Sequence, residues 1–314
     1  MMRLKLVPDS TKIPFVRYRH LAVGLSFVVV IAAFAFMFTK GFNFGIDFKG
    51  GTVIEIATKE PANLTDLRSR LGKLELGEVQ LQRFGDDHNV LIRVGASTDI
   101  TEADAGDKIV NKVKAELGSE VEYRRIESVG PQVSGELVKA ATLAVIVSVL
   151  AMFVYIWFRF EWQFGLGAVL SIVHDVMATI LVFSVFQLEF NLTTIAALLT
   201  IVGYSMNDTV VVFDRIRENL RKYKKMDLGE LIDLSLNETL SRTIMTSVTT
   251  LIALFALFIF GGEVIRSFTF AMIFGILIGT YSSIYVAAPV LMAIGITRDW
   301  SITQLTRAKN NAGK

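Results

Sequence analysis

Three stretches of this chain, Leu21–Phe38, Ala140–Phe158 and Ser267–Thr297, contain no Asp, Glu, Lys or Arg. Each reaches the length of about 18 apolar residues at which a helix can cross a bilayer. Hydrocarbon offers no water to backbone groups, so such runs fold as helices that satisfy their own hydrogen bonds. With three more apolar runs, six spans are expected: 21–39, 140–158, 164–186, 191–213, 243–260 and 267–292. The composition agrees: 52% hydrophobic and 20% charged residues, with mean hydropathy +0.51, exclude an ordinary soluble enzyme.

Other classes fall away quickly. There is no cysteine, which rules out disulfides and Cys-ligated metal, and the histidines (His20, His88, His174) are too scattered for a metal site. A net charge of +2 with no basic-aromatic stripe or phosphate-cradling loop gives no case for nucleic acid. The basic start of the first span (Arg3, Lys5, Lys12, Arg17, Arg19) imitates a signal peptide. Its apolar run is too long for one, however, and Ala33-Phe34-Ala35 lies inside the run, so a retained anchor is expected.

Lys and Arg in the short loops set the orientation. With the N-terminus inside, segments 1–20, 159–162, 214–242 and 298–314 hold seventeen basic residues, against Arg266 alone in loops 187–190 and 261–266. The expected plan is a cytoplasmic segment 1–20, a first span 21–39 and an outside domain 40–138. A five-helix membrane region 139–297 with a basic cytoplasmic loop 214–242 follows, then a cytoplasmic tail 298–314.

The outside segment reads as folded. Thr52–Thr58, Glu78–Phe84, Asn89–Val94 and Glu120–Ser128 alternate like strands, with a turn signal at Gly85–His88. Asn63–Leu74, opened by a cap candidate, and Thr101–Leu117 are spaced like helices. The order β-α-β-β-α-β is that of a ferredoxin-like domain. It carries no catalytic constellation, so an enzyme is not expected. Its strand edges could add an extended polypeptide; a docking or spacer domain fits equally.

Chemistry concentrates in the membrane. Asp208 lies in the otherwise uncharged run Leu192–Phe213, and an ionised Asp at the centre of a span costs at least about 2.5 kcal/mol. Such a residue is expected to be paired and to belong to an ion or proton path. Arg242 opens the fifth span from the same side as Asp208 and is the expected partner, a permanent cation beside a titratable acid. Asp175, beside His174, is a second intramembrane acid. Asn207 and Thr209 flank Asp208, while Thr246, Thr249 and Thr250 share a face with Arg242, with Thr243 and Ser247 beside it. That stripe suits a wet path or plain helix packing. Gly275 and Gly279 make a weak G-x-x-x-G pattern, and Pro289 is expected to kink or end the last helix. The basic residues after Asp214 and the amphipathic run Leu228–Leu240 suggest an interfacial helix on anionic lipid or a partner, or an ordinary positive-inside loop.

The run Gly203–Asn219 (GYSMNDTVVVFDRIREN) closely resembles the signature of the SecD/SecF family of bacterial protein-export subunits, on its SecF side. Gly45–Gly51 (GIDFKGG), Val129-Gly130-Pro131, Tyr155–Trp162 and His174-Asp175-Val176 match in the same order. The resemblance implies an RND-superfamily half bundle of six helices with one periplasmic ferredoxin-like domain between the first two. It implies a multi-pass protein of the bacterial inner membrane, both termini cytoplasmic, that pairs with SecD and assists SecYEG, with YajC and YidC nearby. Protons would be the coupling ion, with no other cofactor, and preprotein the cargo. In this family the acid of the Asn-Asp-Thr motif and the arginine opening the fifth span are the proton site, mapping onto Asp208 and Arg242. A half-transporter for a lipid or small solute, or a purely structural assembly subunit, remain alternatives.

Overall fold

The computed structural model describes residues 11–84, 86–95, 105–262 and 265–296. Arg3, Lys5, Gly85, the expected helix start at Thr101 and the tail 298–314 lie outside those residues.

After a 3-10 turn at Phe15–Tyr18, α1 (Arg19–Thr39) leads to a two-residue strand β1 (Asn43–Phe44) and a short helix α2 (Ile46–Lys49). The external domain then runs β2 (Gly51–Thr58), α3 (Leu64–Gly72), β3 (Val79–Phe84), β4 (Asp86–Gly95), α4 (Ala105–Leu117) and β5 (Val121–Val129). Gly50 and Gly51, at φ +71° and +121°, make the bend between α2 and β2 that a side-chain-bearing residue would resist. Asn63 caps α3 as its sequence suggests, accepting from the backbone N–H groups of Thr65 and Asp66. The sheet order is β3-β4-β2-β5 with every neighbouring pair antiparallel, the ferredoxin-like arrangement. Ile54, Ile56, Leu71, Ile92 and Leu117 fill the core between sheet and helices. The other face of β2 is closed by Ile46 of α2 against Val53 and Leu91, so the central strand is buried on both sides. Against expectation, Asp86–His88 belong to β4, not to a turn, and the pairing of β3 with β4 runs to Phe84 and Asp86.

Among the described residues, six helices are long and apolar enough to cross a membrane: Phe15–Thr39, Pro131–Arg159, Trp162–Phe186, Leu192–Lys222, Leu228–Phe260 and Arg266–Ile294. We label the second to fifth α5 (Pro131–Arg159), α6 (Trp162–Phe186), α7 (Leu192–Lys222) and α8 (Leu228–Phe260), with β6 (Glu189–Phe190) between α6 and α7. The last span consists of α9 (Arg266–Ser282), a π-helical turn Ser283–Ala287, and α10 (Ala288–Ile294). All six expected spans are present, and most extend beyond their expected ends.

The expected loop 214–242 is instead mostly helix. α7 continues to Lys222 and α8 begins at Leu228. Leu231, Ile232, Leu236 and Leu240 pack against Phe15, Ile216 and Leu220 rather than lying on lipid. Polar contacts hold the two extensions together: Asn219 donates to Ser235 Oγ at 3.0 Å and to Glu238 at 2.7 Å, and Arg215 pairs with Glu238 at 2.9 Å. Pro289 does not end its helix. The widened π turn just ahead of it accommodates a residue with no N–H and a ring that crowds the preceding turn. Gly275 and Gly279 do bring α9 close to α7: a Cβ at Gly275 would enter the Ile201 side chain, and one at Gly279 would meet Ser205 Cβ at 3.1 Å.

Candidate functional site

The centre of the bundle holds two carboxylates. Asp175 on α6 is fully buried and Asp208 on α7 is 9% exposed. At 1.5 Å per residue, Asp208 sits about 24 Å along α7 from its outer end, near the middle of the helix. Small and hydroxyl-bearing residues allow the acids this depth. α6 buries Ser171, Ala178 and Thr179 along with Asp175, and α7 buries Ser205 and Thr209 along with Asp208.

The two acids are held by consecutive residues of the last span. Ser282 Oγ donates to Asp175 Oδ2 at 2.7 Å, and Ser283 Oγ donates to Asp208 Oδ2 at 2.7 Å. Ser282 ends α9 and Ser283 opens the π turn, so the switch in helix type falls between them. π turns recur at functional sites because the extra residue re-aims neighbouring side chains. Asp175 also accepts from Ser205 Oγ at 2.5 Å and lies 3.1 Å from His174 Nδ1. Asp208 also accepts from Thr243 Oγ1 at 2.5 Å. A further layer extends outward: Ser171 donates to Ser282 Oγ at 2.9 Å, Ser247 and Thr280 hydroxyls lie 2.8 Å apart, and Tyr281 donates to the Ala22 carbonyl of α1 at 2.9 Å.

Both acids therefore sit in donor-rich surroundings on four helices, as buried charges require. Thr209 Oγ1, one residue on, is buried without a hydrogen-bond partner among the described residues. No group of His, Asp or Glu there could hold a metal ion.

Among the described residues Asp208 and Arg242 lie near enough for the arginine's charge to act on the acid, but the expected direct ion pair does not join them. Among the described residues Asp208 is bonded to Thr243 and Ser283, and Arg242 makes no ion pair with it. Arg242 and Thr246 are exposed on the outer side of α8, while their neighbours Thr243 and Ser247 point inward. Adjacent helical residues differ in direction by about 100°, so a shift of one position changes which face meets Asp208. Thr246 bonds back to the carbonyls of Arg242 and Thr243, and Thr250 accepts from Tyr204 at 3.3 Å. Asn207 is exposed. Ser205, Ser282 and Ser283 escaped the sequence reading. The run Thr280-Tyr-Ser-Ser283, with four hydroxyls in an uncharged span, was the available signal.

The external domain meets the bundle where α7 begins. β1 pairs in parallel with β6, Arg93 of β4 bridges Glu189 at 2.9 Å, and Leu192 N donates to Asp47 Oδ2 at 2.9 Å. Asp47 thus caps the helix that carries Asp208. Gly45 allows this approach, since a Cβ there would meet Glu189 Oε1 at 2.7 Å.

Comparison with known proteins bears on all of these elements. Residues 109–297 match the family described as protein export membrane protein SecD/SecF, C-terminal, and residues 35–62 match the SecD/SecF GG motif, which includes Asp47 and Gly50-Gly51. A protein translocase subunit SecF of Cereibacter sphaeroides is 47% identical over 304 residues, covering 94% of this chain and 94% of its own length. One from Rickettsia rickettsii is 46% identical over 288 residues, covering 92% and 94%. The crystal structure of SecDF, a translocon-associated membrane protein from Thermus thermophilus, superposes with TM-score 0.82 at 35% identity over 92% of this chain. SecDF in a super-membrane-facing form gives TM-score 0.68 at 32% identity over 99% of it. This chain spans 39% and 41% of the lengths of those two SecDF chains. Identity of this order along nearly the whole chain makes it a member of the SecD/SecF family of protein-export membrane proteins.

Proposed function

We propose that this chain is an accessory subunit of the bacterial Sec protein translocase, a multi-pass inner-membrane protein that uses proton binding at Asp208 to help draw preproteins outward. The named relatives support the translocase role and give the lipid or solute exporter no support. The observation that carries the proton reading is the attachment of two buried acids to adjacent serines at the α-to-π junction.

A serine hydroxyl has one hydrogen. Ser283 Oγ has two acceptors in reach, Asp208 Oδ2 at 2.7 Å and the Thr280 carbonyl at 3.0 Å. A proton on Asp208 removes the charge that makes the first bond the stronger one. The hydroxyl then turns to its own helix, and the last span is released from α7. Ser282 has the same choice between Asp175 and the Gly279 carbonyl at 3.2 Å. This supplies the two-state element that coupling needs.

An exposed Arg242 facing hydrocarbon would be costly, so the outer face of α8 is assigned to a membrane partner. The chain spans only part of SecDF, which points to the SecD half as that partner; Arg242, on the neighbouring helix of this same chain, acts on Asp208 through its charge. SecYEG, the emerging preprotein, YajC and YidC follow from the same reading, as do cytoplasmic termini.

The test uses vesicles holding this chain and its SecD partner, scored for proton flux and preprotein release. Asp208→Asn should abolish both while the pair still assembles. Unchanged flux and release would reject the proton role and leave the polar cluster as a fixed structural network.

A further inference from the structure

At the bundle end away from the external domain, a cavity of about 570 Å3 opens between the end of α5 and the extension of α7, lined by Arg159, Asp214, Arg217, Glu218, Arg221 and Lys222. We infer that it binds the phosphate of an anionic phospholipid headgroup. The volume falls within the range of about 300–1,000 Å3 typical of ligand clefts.

Four cations meet two carboxylates there, and both carboxylates are engaged at the rim. Asp214 receives both of its bonds from Arg159, at 3.0 and 2.9 Å, and Glu218 is held from the far side by Arg215 at 2.6 Å. The balance facing the cavity is positive. The Arg159 and Arg217 guanidiniums lie over the ring of buried Phe160, at 4.8 and 5.4 Å from its centroid. Phe160 is in turn wedged against Phe164 and Phe213. Stacking of this kind fixes planar donors in advance, the property that suits arginine to phosphate. The depth selects a lipid. Trp157, Phe158 and Trp162, 61%, 85% and 56% exposed, lie within three residues of Arg159 in the chain, and exposed aromatics at the end of a span are typical of the membrane–water interface, where headgroups lie.

The test is native mass spectrometry of the full chain in detergent with phosphatidylglycerol, phosphatidylcholine or inorganic phosphate. The native protein should retain phosphatidylglycerol over phosphatidylcholine and should not lose it to inorganic phosphate. The double variant Arg217→Gln/Arg221→Gln should bind phosphatidylglycerol about thirtyfold more weakly, roughly fivefold for each cation removed. Arg217→Lys/Arg221→Lys keeps the charge but loses the stacked planar fork, so it should keep the preference for phosphatidylglycerol while binding it more weakly than the native chain and more tightly than the glutamine variant, which separates lost binding from lost folding. Equal retention of both lipids by the native chain, or displacement by inorganic phosphate, would overturn the assignment. So would loss of selectivity in the lysine variant.

Discussion

Replacing Ser283 with Ala removes one hydroxyl-to-carboxylate bond of 2.7 Å and leaves Asp208 with Thr243 alone. A hydrogen bond to a charged group contributes about 1.5–3 kcal/mol in soluble proteins. Interhelical polar bonds inside membranes average about 0.6 kcal/mol, with a maximum near 1.7, because the unfolded chain in lipid also finds partners. An O–H···O bond this short, to a buried acid, belongs at the upper end, so a coupling of about 1 kcal/mol is expected. The assay is a double-mutant cycle of Asp208→Ala with Ser283→Ala, read from SDS-driven unfolding of the full chain in detergent. The comparison cycle is Asp208→Ala with Ser282→Ala. Ser282 is bonded to Asp175, so this second cycle should be additive to within about 0.3–0.5 kcal/mol, whereas Asp175→Ala with Ser282→Ala should couple like the first. Because the two serines are adjacent, any general loosening of the last span would affect both cycles alike. Equal coupling of both serines to Asp208 would refute the idea that the α-to-π junction divides them between two acids.

Three further outcomes are expected. Gly275→Ala should destabilise the bundle by about 1–3 kcal/mol by overpacking against Ile201, and Ile201→Ala in the same chain should recover part of that loss, measured by the same unfolding assay. Asp47→Ala removes the cap on Leu192 at about 0.5–2 kcal/mol; preprotein release in vesicles should slow more than proton flux does, and equal slowing would argue against a mechanical joint. Tyr123 has a phenol oxygen buried without a hydrogen-bond partner among the described residues, and burial raises its pKa above the ordinary 10.0. Its neutral form is favoured in the folded state, so the stability it contributes is intact below pH 10 and falls as pH rises from there through the raised value. Tyr123→Phe should flatten that alkaline loss in thermal unfolding of the full chain, at no cost near neutral pH.

How much of this was legible beforehand depended on what hydropathy can register. Scarcity of charge marked all six spans, with Asp175 and Asp208 the two exceptions, since a charged side chain in hydrocarbon is expensive and its exclusion leaves long clean runs. The helix ends were hidden because α7 and α8 continue into water, held by Arg215–Glu238 and the Asn219–Ser235 bond rather than by apolar length. Alternation and spacing were enough for the order of elements in the external domain, although β2 is buried on both faces. Asp208 stood out by its charge; its partners did not. Serine is short and close to neutral in transfer scales, so Ser205, Ser282 and Ser283 merged into their spans. Arg242 attracted attention as the nearest cation, but a charge count along a helix says nothing about which face a neighbouring helix will meet.

A change at Asp208 matters outside the membrane only if stiff elements carry it there. α7 is one such element, unbroken from Leu192 to Lys222, with the acid near its middle. Its outer end is tied to Asp47 of α2, and α2 bends at Gly50-Gly51 directly into β2, the strand buried on both faces at the centre of the sheet. The Arg93–Glu189 bridge ties β4, the neighbour of β2, to the same place. On the other side of β2, β5 passes through Gly130 into Pro131, the first residue of α5. Two adjacent strands are thus each connected to a membrane element, and one of them is tied to the helix that carries Asp208. A body held in this way responds to a tilt of α7 by rotating about the joint rather than drifting on a linker. That is the motion a domain needs if it is to swing an emerging chain away from the membrane; the glycines and Asp47 of the joint and the buried acids fall within the two stretches that match the family, residues 35–62 and 109–297.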